Sequence, residues 1–259
     1  MHTENPQNAP DTLWIVRHGQ SAGNVARDRA EELGLPLIDI AIRDADVPLS
    51  SVGEEQAIAL GRWFRNRPPD QRPSAFLCSP YLRARRTAEL IQEHAGLMSP
   101  DSPLLIDERL REKEFGVLDR YTRVGIRERF PELAEQRAHV GKFYFRPPGG
   151  ESWCDVILRL RSVIDTLTRD FHGERVFVVG HQVIVNCFRC LLENLDEQTI
   201  LDIDRRGDVP NCAMTTYRYD PAAAKHGALV LREVNFVAPL LHQGAAITTE
   251  PDVPAAPNP

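Results

Sequence analysis

The stretch Leu13-Trp14-Ile15-Val16-Arg17-His18-Gly19 constrains this chain more than any other. Four apolar residues end abruptly in a cation, an imidazole and a glycine. A run apolar at every position is the pattern of a strand buried on both faces, as in a parallel sheet covered by helices. Open α/β sheets take their ligands outside the carboxyl ends of such strands, which is where Arg17 and His18 fall. Gly19 lets the backbone turn sharply and approach a ligand closely. Asn24 lies just beyond, with a side-chain amide that can reach back. A second apolar run, Val176-Phe177-Val178-Val179, ends in Gly180-His181 and repeats the pattern.

The 259 residues are 42% hydrophobic and 26% charged, which suits one large α/β domain over residues 12–242. Residues 1–11 and the Ala/Pro-rich stretch 243–259 read as disordered tails. A net charge of −6 indicates no general affinity for nucleic acid. No apolar run is long enough to cross a bilayer, and the amino terminus lacks the pattern of a secretory signal. Five cysteines in a chain of this length do not read as a disulfide framework, so a reducing, cytoplasmic setting is expected. Cys187 and Cys190 sit inside an apolar helical stretch and read as core rather than as a metal or redox pair. Nothing in the sequence speaks for or against an oligomer.

Between the two runs, residues 25–48 are long and mixed, either an insertion over the mouth of a site or a loose surface loop. Ser50 or Ser51 opens a helix that ends before Pro68-Pro69. A short strand at 75–78 leads into Ser79-Pro80-Tyr81-Leu82-Arg83-Ala84, where Ser79 can cap a helix that starts at Pro80. Arg83 then falls in the first turns, either facing an anion or exposed to solvent. A candidate strand at 104–106 precedes Leu110-Arg111-Glu112-Lys113-Glu114-Phe115-Gly116, where composition does not single out one carboxylate. Residues 121–130 read as a helix ended by Pro131, and 151–171 as a strongly amphipathic helix. Strands are expected near 215–219 and 228–236, paired antiparallel.

Arg17-His18-Gly19-Gln20-Ser21 followed by Asn24 resembles the signature of the histidine phosphatase superfamily, which includes cofactor-dependent phosphoglycerate mutases and fructose-2,6-bisphosphatase. Ser79-Pro80 through Thr87-Ala88, Leu110 with Glu112 and Gly116, and Gly180-His181 resemble its further motifs in the family's order. The resemblance implies a three-layer α/β/α fold with a mostly parallel central sheet. It implies that His18 is the phosphoryl acceptor, Arg17 and Arg83 the phosphate clamp, His181 the second histidine and Glu112 the proton donor, with Glu114 the next candidate. Asn24, Gln20, Ser21 and Gln182 join the expected substrate-binding set. So do Lys142, Tyr144 and Arg146, which precede a Pro-x-Gly-Glu-Ser-like element at 148–152. No metal and no cofactor is implied.

A phosphate monoester is an anion, so its hydrolysis depends on positioning and fixed positive charge around the phosphoryl oxygens. Two arginines supply rigid forks for that purpose. A neutral His18 is the nucleophile this chemistry needs, and the neighbouring cations keep it neutral. The expected activity is a metal-independent phosphomonoester hydrolase acting on a small phosphorylated metabolite. The alternatives are a phosphoglycerate mutase and an inactive relative that binds phosphorylated ligands.

Overall fold

A computed structural model of the chain describes residues 9–100, 103–225 and 227–249. Four strands run parallel: β1 (Thr12–Arg17), β2 (Ala75–Cys78), β3 (Leu104–Ile106) and β4 (Arg175–Gly180). Two more, β5 (Met214–Asp220) and β6 (Ala228–Phe236), close one edge antiparallel. The six-stranded order is β3-β2-β4-β1-β5-β6, so the two apolar runs read from the sequence are the adjacent central strands.

The helices are α1 (Ala22–Glu32), α2 (Ser51–Arg65), α3 (Leu82–Ala95), α4 (Arg123–Arg129), α5 (Pro131–Val140), α6 (Trp153–Asp170), α7 (Gln182–Leu192), α8 (Glu197–Arg206) and α9 (Ala238–His242). Side chains alternate across a strand, and that alternation divides the core in two. Leu13, Ile15, Val176 and Val178 pack with Leu160 of α6 and Phe188 of α7. Trp14, Val16, Phe177 and Val179 pack on the other face with Phe64 of α2 and Ile91 of α3. Phe177 centres the second core, with ring centroids 5.4 Å from Phe76 and 5.5 Å from Phe64. Each such fully buried side chain contributes about 1.5–3 kcal/mol over exposure. The result is the expected α/β fold, a mostly parallel sheet between two helical layers.

Several local expectations are corrected. Residues 25–48 begin inside a helix, α1, opened by a capping box between Ser21 and Asn24. Ala30 is its one buried residue, so no apolar stripe announces it. Helix α3 starts at Leu82 with Tyr81 at its N-cap, not at Pro80 capped by Ser79. Pro131 opens α5 rather than merely ending α4, because a proline at the first helical position loses no hydrogen bond.

The tails begin further out than expected. The Asp11 N–H donates to the Glu174 carbonyl (2.8 Å) and the Gly173 N–H to the Ala9 carbonyl (3.1 Å). Gln56 Nε2 donates to the Ala246 carbonyl and to Thr248 Oγ1, both at 2.9 Å, so the chain is tied down past residue 243. The remaining tail residues, 1–8 and 250–259, lie outside the described residues. Cys187 is buried in the core as expected. No helix among the described residues is long and apolar enough to cross a membrane.

Candidate active site

Register places the two histidines side by side. Arg17 of β1 pairs with Gly180 of β4, so the residues that follow, His18 and His181, leave the sheet at the same level. The His18 N–H donates to the Gly180 carbonyl at 2.9 Å, and the two imidazole centroids are 5.0 Å apart. Both rings are buried.

His18 Nδ1 lies 2.7 Å from the Gly19 carbonyl, an acceptor only, so Nδ1 carries the proton and Nε2 a lone pair. Arg83 Nε donates to that Nε2 at 3.2 Å. Burial, then the charges of Arg83 and Arg17, hold the His18 pKa well below its ordinary value. The ring is therefore a neutral base with its lone pair turned toward the Arg83 guanidinium. Behind it, Asn211 Nδ2 donates to the His18 carbonyl (2.9 Å), and Asn211 is in turn held by Thr248 (2.9 Å). Packing also requires a glycine at position 19: a Cβ there would come within 2.5 Å of the Gly53 carbonyl oxygen at the start of α2.

Arg83 projects from the first turn of α3 and is buried, not solvent-exposed. Its Nη1 and Nη2 lie 3.0 and 3.2 Å from the Asp44 carboxylate, and Nη1 also donates to the Asp44 carbonyl at 2.7 Å. Arg17 is buried at the end of β1, with Nη1 on the Val209 carbonyl at 2.6 Å. His181 Nε2 is 2.8 Å from Ser79 Oγ, the hydroxyl expected to cap α3. Burial, then Arg83 and His18, lower the His181 pKa, so this ring too is neutral rather than a standing cation.

Geometry separates the two glutamates. Glu112 lines the same cavity as Arg17, His18 and Arg83, with Oε2 3.6 Å from His181 Nδ1. Glu114 turns away and accepts from the Tyr81 hydroxyl at 2.9 Å. The segment that bears Glu112 is braced by Glu151, which accepts from Arg111 (2.7 Å), from Arg159 (3.0 Å) and from the Glu114 N–H (3.1 Å). Burial alone would raise the Glu151 carboxyl, but Arg159 and Arg111 keep it below the usual range.

The other expected contacts divide. Asn24, Ser21 and Gln182 line the cavity. Asn24 Oδ1 and Ser21 Oγ are also the two halves of the α1 capping box, and Gln182 Nε2 donates to Asp208 at 2.6 Å. Gln20 does not line it: its Oε1 accepts from Ser50 Oγ at 2.8 Å at the start of α2. Lys142, Tyr144 and Arg146 lie away from it as well. Lys142 pairs with Asp204 of α8 at 2.6 Å, Arg146 with Asp155 of α6, and Tyr144 is exposed beside Glu197. Acidic side chains on α6 and α8 draw this loop outward. Arg27, Asp44, Asp119 and Arg120 line the cavity and were not singled out from the sequence. Their types and spacing carry no signal, because the chain path alone brings them in. Among the described residues, no group of three His, Cys, Asp or Glu side chains is placed to hold a metal ion.

His18, Arg17, Arg83 and Glu112 thus line one cavity, and His181 stands buried behind it, its ring 5.0 Å from that of His18. Residues 13–230 match the model of the histidine phosphatase superfamily, branch 1. The chain belongs to this family. It is 32% identical over 202 residues to a 2,3-bisphosphoglycerate-dependent phosphoglycerate mutase of a Methylobacterium species, covering 76% of this chain and 88% of that one. It is 31% identical over 179 residues to a 6-phosphofructo-2-kinase/fructose-2,6-bisphosphatase of Caenorhabditis elegans, covering 69% of this chain and 33% of that one. A mycobacterial glucosyl-3-phosphoglycerate phosphatase structure shares the fold with a TM-score of 0.64 at 22% identity, over 88% of this chain and 99% of that one. Besides Arg17, His18, Arg83 and Glu112, the cavity is lined by the stretch after α1 (Ile38, Ile40, Ile42 and Asp44) and by the segment from Phe115 to Arg120.

Proposed function

We propose that this histidine phosphatase is a metal-independent phosphomonoester hydrolase that works through a phosphohistidine at His18. One observation carries the reading: the unprotonated Nε2 of a buried His18 sits 3.2 Å from Arg83 Nε, with Nδ1–H fixed on the Gly19 carbonyl. The nucleophile is already neutral, oriented and next to the cation that would hold the phosphoryl oxygens.

In the first step His18 Nε2 forms a bond to phosphorus as the P–O bond to the alcohol breaks. Glu112, protonated beside the substrate dianion, gives its proton to the departing oxygen. In the second step Glu112 accepts a proton from water, whose oxygen takes phosphorus from Nε2 and releases inorganic phosphate. Two displacements replace one difficult hydrolysis. Arg17 and Arg83 stabilise charge on the equatorial oxygens throughout. His181, 5.0 Å from His18, stands beside the acid, with Nδ1 3.6 Å from Glu112 Oε2.

The test is phosphate release from p-nitrophenyl phosphate by the purified chain, with an alkaline denaturing quench to trap an acid-labile, alkali-stable phosphoenzyme. Release with a trapped phosphoryl group that is absent in His18→Ala is the expected result. Turnover without any trapped group in single-turnover experiments, or retained in His18→Ala, rejects it.

A second reading, a phosphoglycerate mutase, is favoured by the mutase at 32% identity. It uses the same cradle but returns the phosphoryl group to a retained intermediate. Comparing 3-phosphoglycerate isomerisation with phosphate release separates the two.

A further inference from the structure

Arg17, His18, Arg83 and Glu112 account for only part of the cavity lining; the other lining residues would face whatever carries the phosphate. Ile38, Ile40 and Ile42 all line it, from one irregular stretch in which the Ile40 N–H turns back to the Ile38 carbonyl at 2.9 Å. All three border the same cavity and so present it one apolar wall. Phe115 and Leu118 line the cavity from another segment. Ile42 is 48% exposed although it lines a cavity, so it covers no core and its surface is available to a ligand.

This wall is held in place. The Ile38 N–H donates to the Arg120 carbonyl at 2.8 Å, and Arg120 Nη1 donates to the Ile40 carbonyl at 2.9 Å. Leu37 bridges to Tyr121, and the Arg83 contact with Asp44 anchors the far end. An insertion tied at both ends is a wall, not a loose loop.

Charge along the cavity points the same way. Its lining carries four guanidinium groups, Arg17, Arg27, Arg83 and Arg120, and three carboxylates, Asp44, Glu112 and Asp119. With Glu112 protonated beside the substrate, the surplus is two positive charges, and a bound phosphate dianion consumes all of it. A second anionic group on the substrate would meet carboxylates in low dielectric without net compensation. The one hydroxyl among the lining side chains, that of Ser21, is spent on the α1 cap.

We propose that the wall of Ile38, Ile40 and Ile42 selects phosphomonoesters of apolar alcohols and phenols over polyol or carboxylate-bearing phosphates. The proposal deepens the hydrolase reading and rests on it. Along a series of straight-chain alkyl phosphates the leaving group's basicity is nearly constant, so differences in kcat/KM report contact with the chain.

The experiment measures phosphate release from ethyl through hexyl phosphate, glycerol 3-phosphate and 3-phosphoglycerate by the full chain. The expected result is a gain of about two- to fourfold in kcat/KM per methylene, the upper value equal to about 0.8 kcal/mol. The two polar esters should fall at least about tenfold below hexyl phosphate. Ile40→Asn should collapse the hexyl-to-ethyl ratio toward one, and Ile40→Leu should restore it. A flat series, or a preference for either polar ester by an enzyme that does release phosphate, overturns the proposal. If no ester is hydrolysed, the hydrolase reading fails by itself. Calorimetry with straight-chain alkylphosphonates then decides the wall's preference: affinity rising with chain length supports it, and affinity independent of length overturns it.

Discussion

The Asp44 carboxylate lies across the guanidinium of Arg83, 3.0 Å from Nη1 and 3.2 Å from Nη2, where Arg83 also reaches His18 with Nε. A carboxylate in this bidentate position competes with a phosphoryl oxygen for the same two donors. Its side chain is 43% exposed, so solvent screens the pair and the competition is modest. Asp44→Asn is expected to tighten inorganic phosphate inhibition by about two- to fivefold. Weaker inhibition in that variant would mean that Asp44 orients Arg83 rather than contests it.

His18→Ala removes the proposed nucleophile while leaving Arg17, Arg83 and His181. Turnover should fall by more than about 10⁴-fold, as removal of a covalent nucleophile does elsewhere. Phosphate should still bind weakly, because the arginines remain. Isothermal titration and a continuous phosphate assay on the same preparation check both halves.

Glu112→Gln should separate leaving groups. An alkoxide needs a proton as it departs and p-nitrophenolate hardly does, so the loss should be about 10²–10⁴-fold on an alkyl phosphate. On p-nitrophenyl phosphate it should be under about tenfold. Equal losses would take the acid role away from Glu112, and Glu114→Gln would then be examined.

Stability should fall with acidification through the histidines. Burial, then Arg83, lowers both the His18 and the His181 pKa in the folded chain. Below about pH 6.5 the unfolded chain therefore binds protons that the folded chain does not, and unfolding gains. Each group contributes a slope of up to about 1.4 kcal/mol per pH unit between its folded pKa and about 6.5, with stability rising as pH rises. Urea titrations at pH 7.5 and 5.5 should show the loss, and His18→Asn should reduce it. An unchanged pH dependence in that variant would mean that His18 is protonated in the folded chain.

Gly19→Ala tests the close packing behind the nucleophile. The added methyl would meet the Gly53 carbonyl at 2.5 Å, a backbone atom that cannot swing aside. Overpacking of this kind costs about 1–3 kcal/mol, and His18 would shift with it. Thermal unfolding should show a lowered Tm together with reduced turnover; an unchanged Tm would mean the α2 terminus yields freely.

How much was legible follows from range. The runs at Leu13–Val16 and Val176–Val179 announce central strands, because alternate residues of each must fill two separate cores. Helix α6 was equally plain from its apolar stripe. Helix α1 was not, because its one buried side chain leaves no stripe to read. Lys142, Tyr144 and Arg146 carried the right chemistry for a phosphate site but were drawn to acidic partners on α6 and α8, which local pattern cannot anticipate.

The sequence determined, through the resemblance of its motifs to those of the histidine phosphatase family, which side chains were the candidates: His18, Arg17, Arg83 and His181, with Glu112 ahead of Glu114. That information is local, since each stands at a strand end, a helix start or a patterned loop. Only the tertiary structure decided that Glu112 rather than Glu114 enters the cavity, that Asp44 crosses Arg83, and that three isoleucines form a wall beside the phosphate cradle. Those outcomes depend on how separate segments are brought together, by Glu151 behind the Glu112 loop and by Arg120 behind the isoleucines. No spacing within a single segment encodes a contact made across 80 residues of chain.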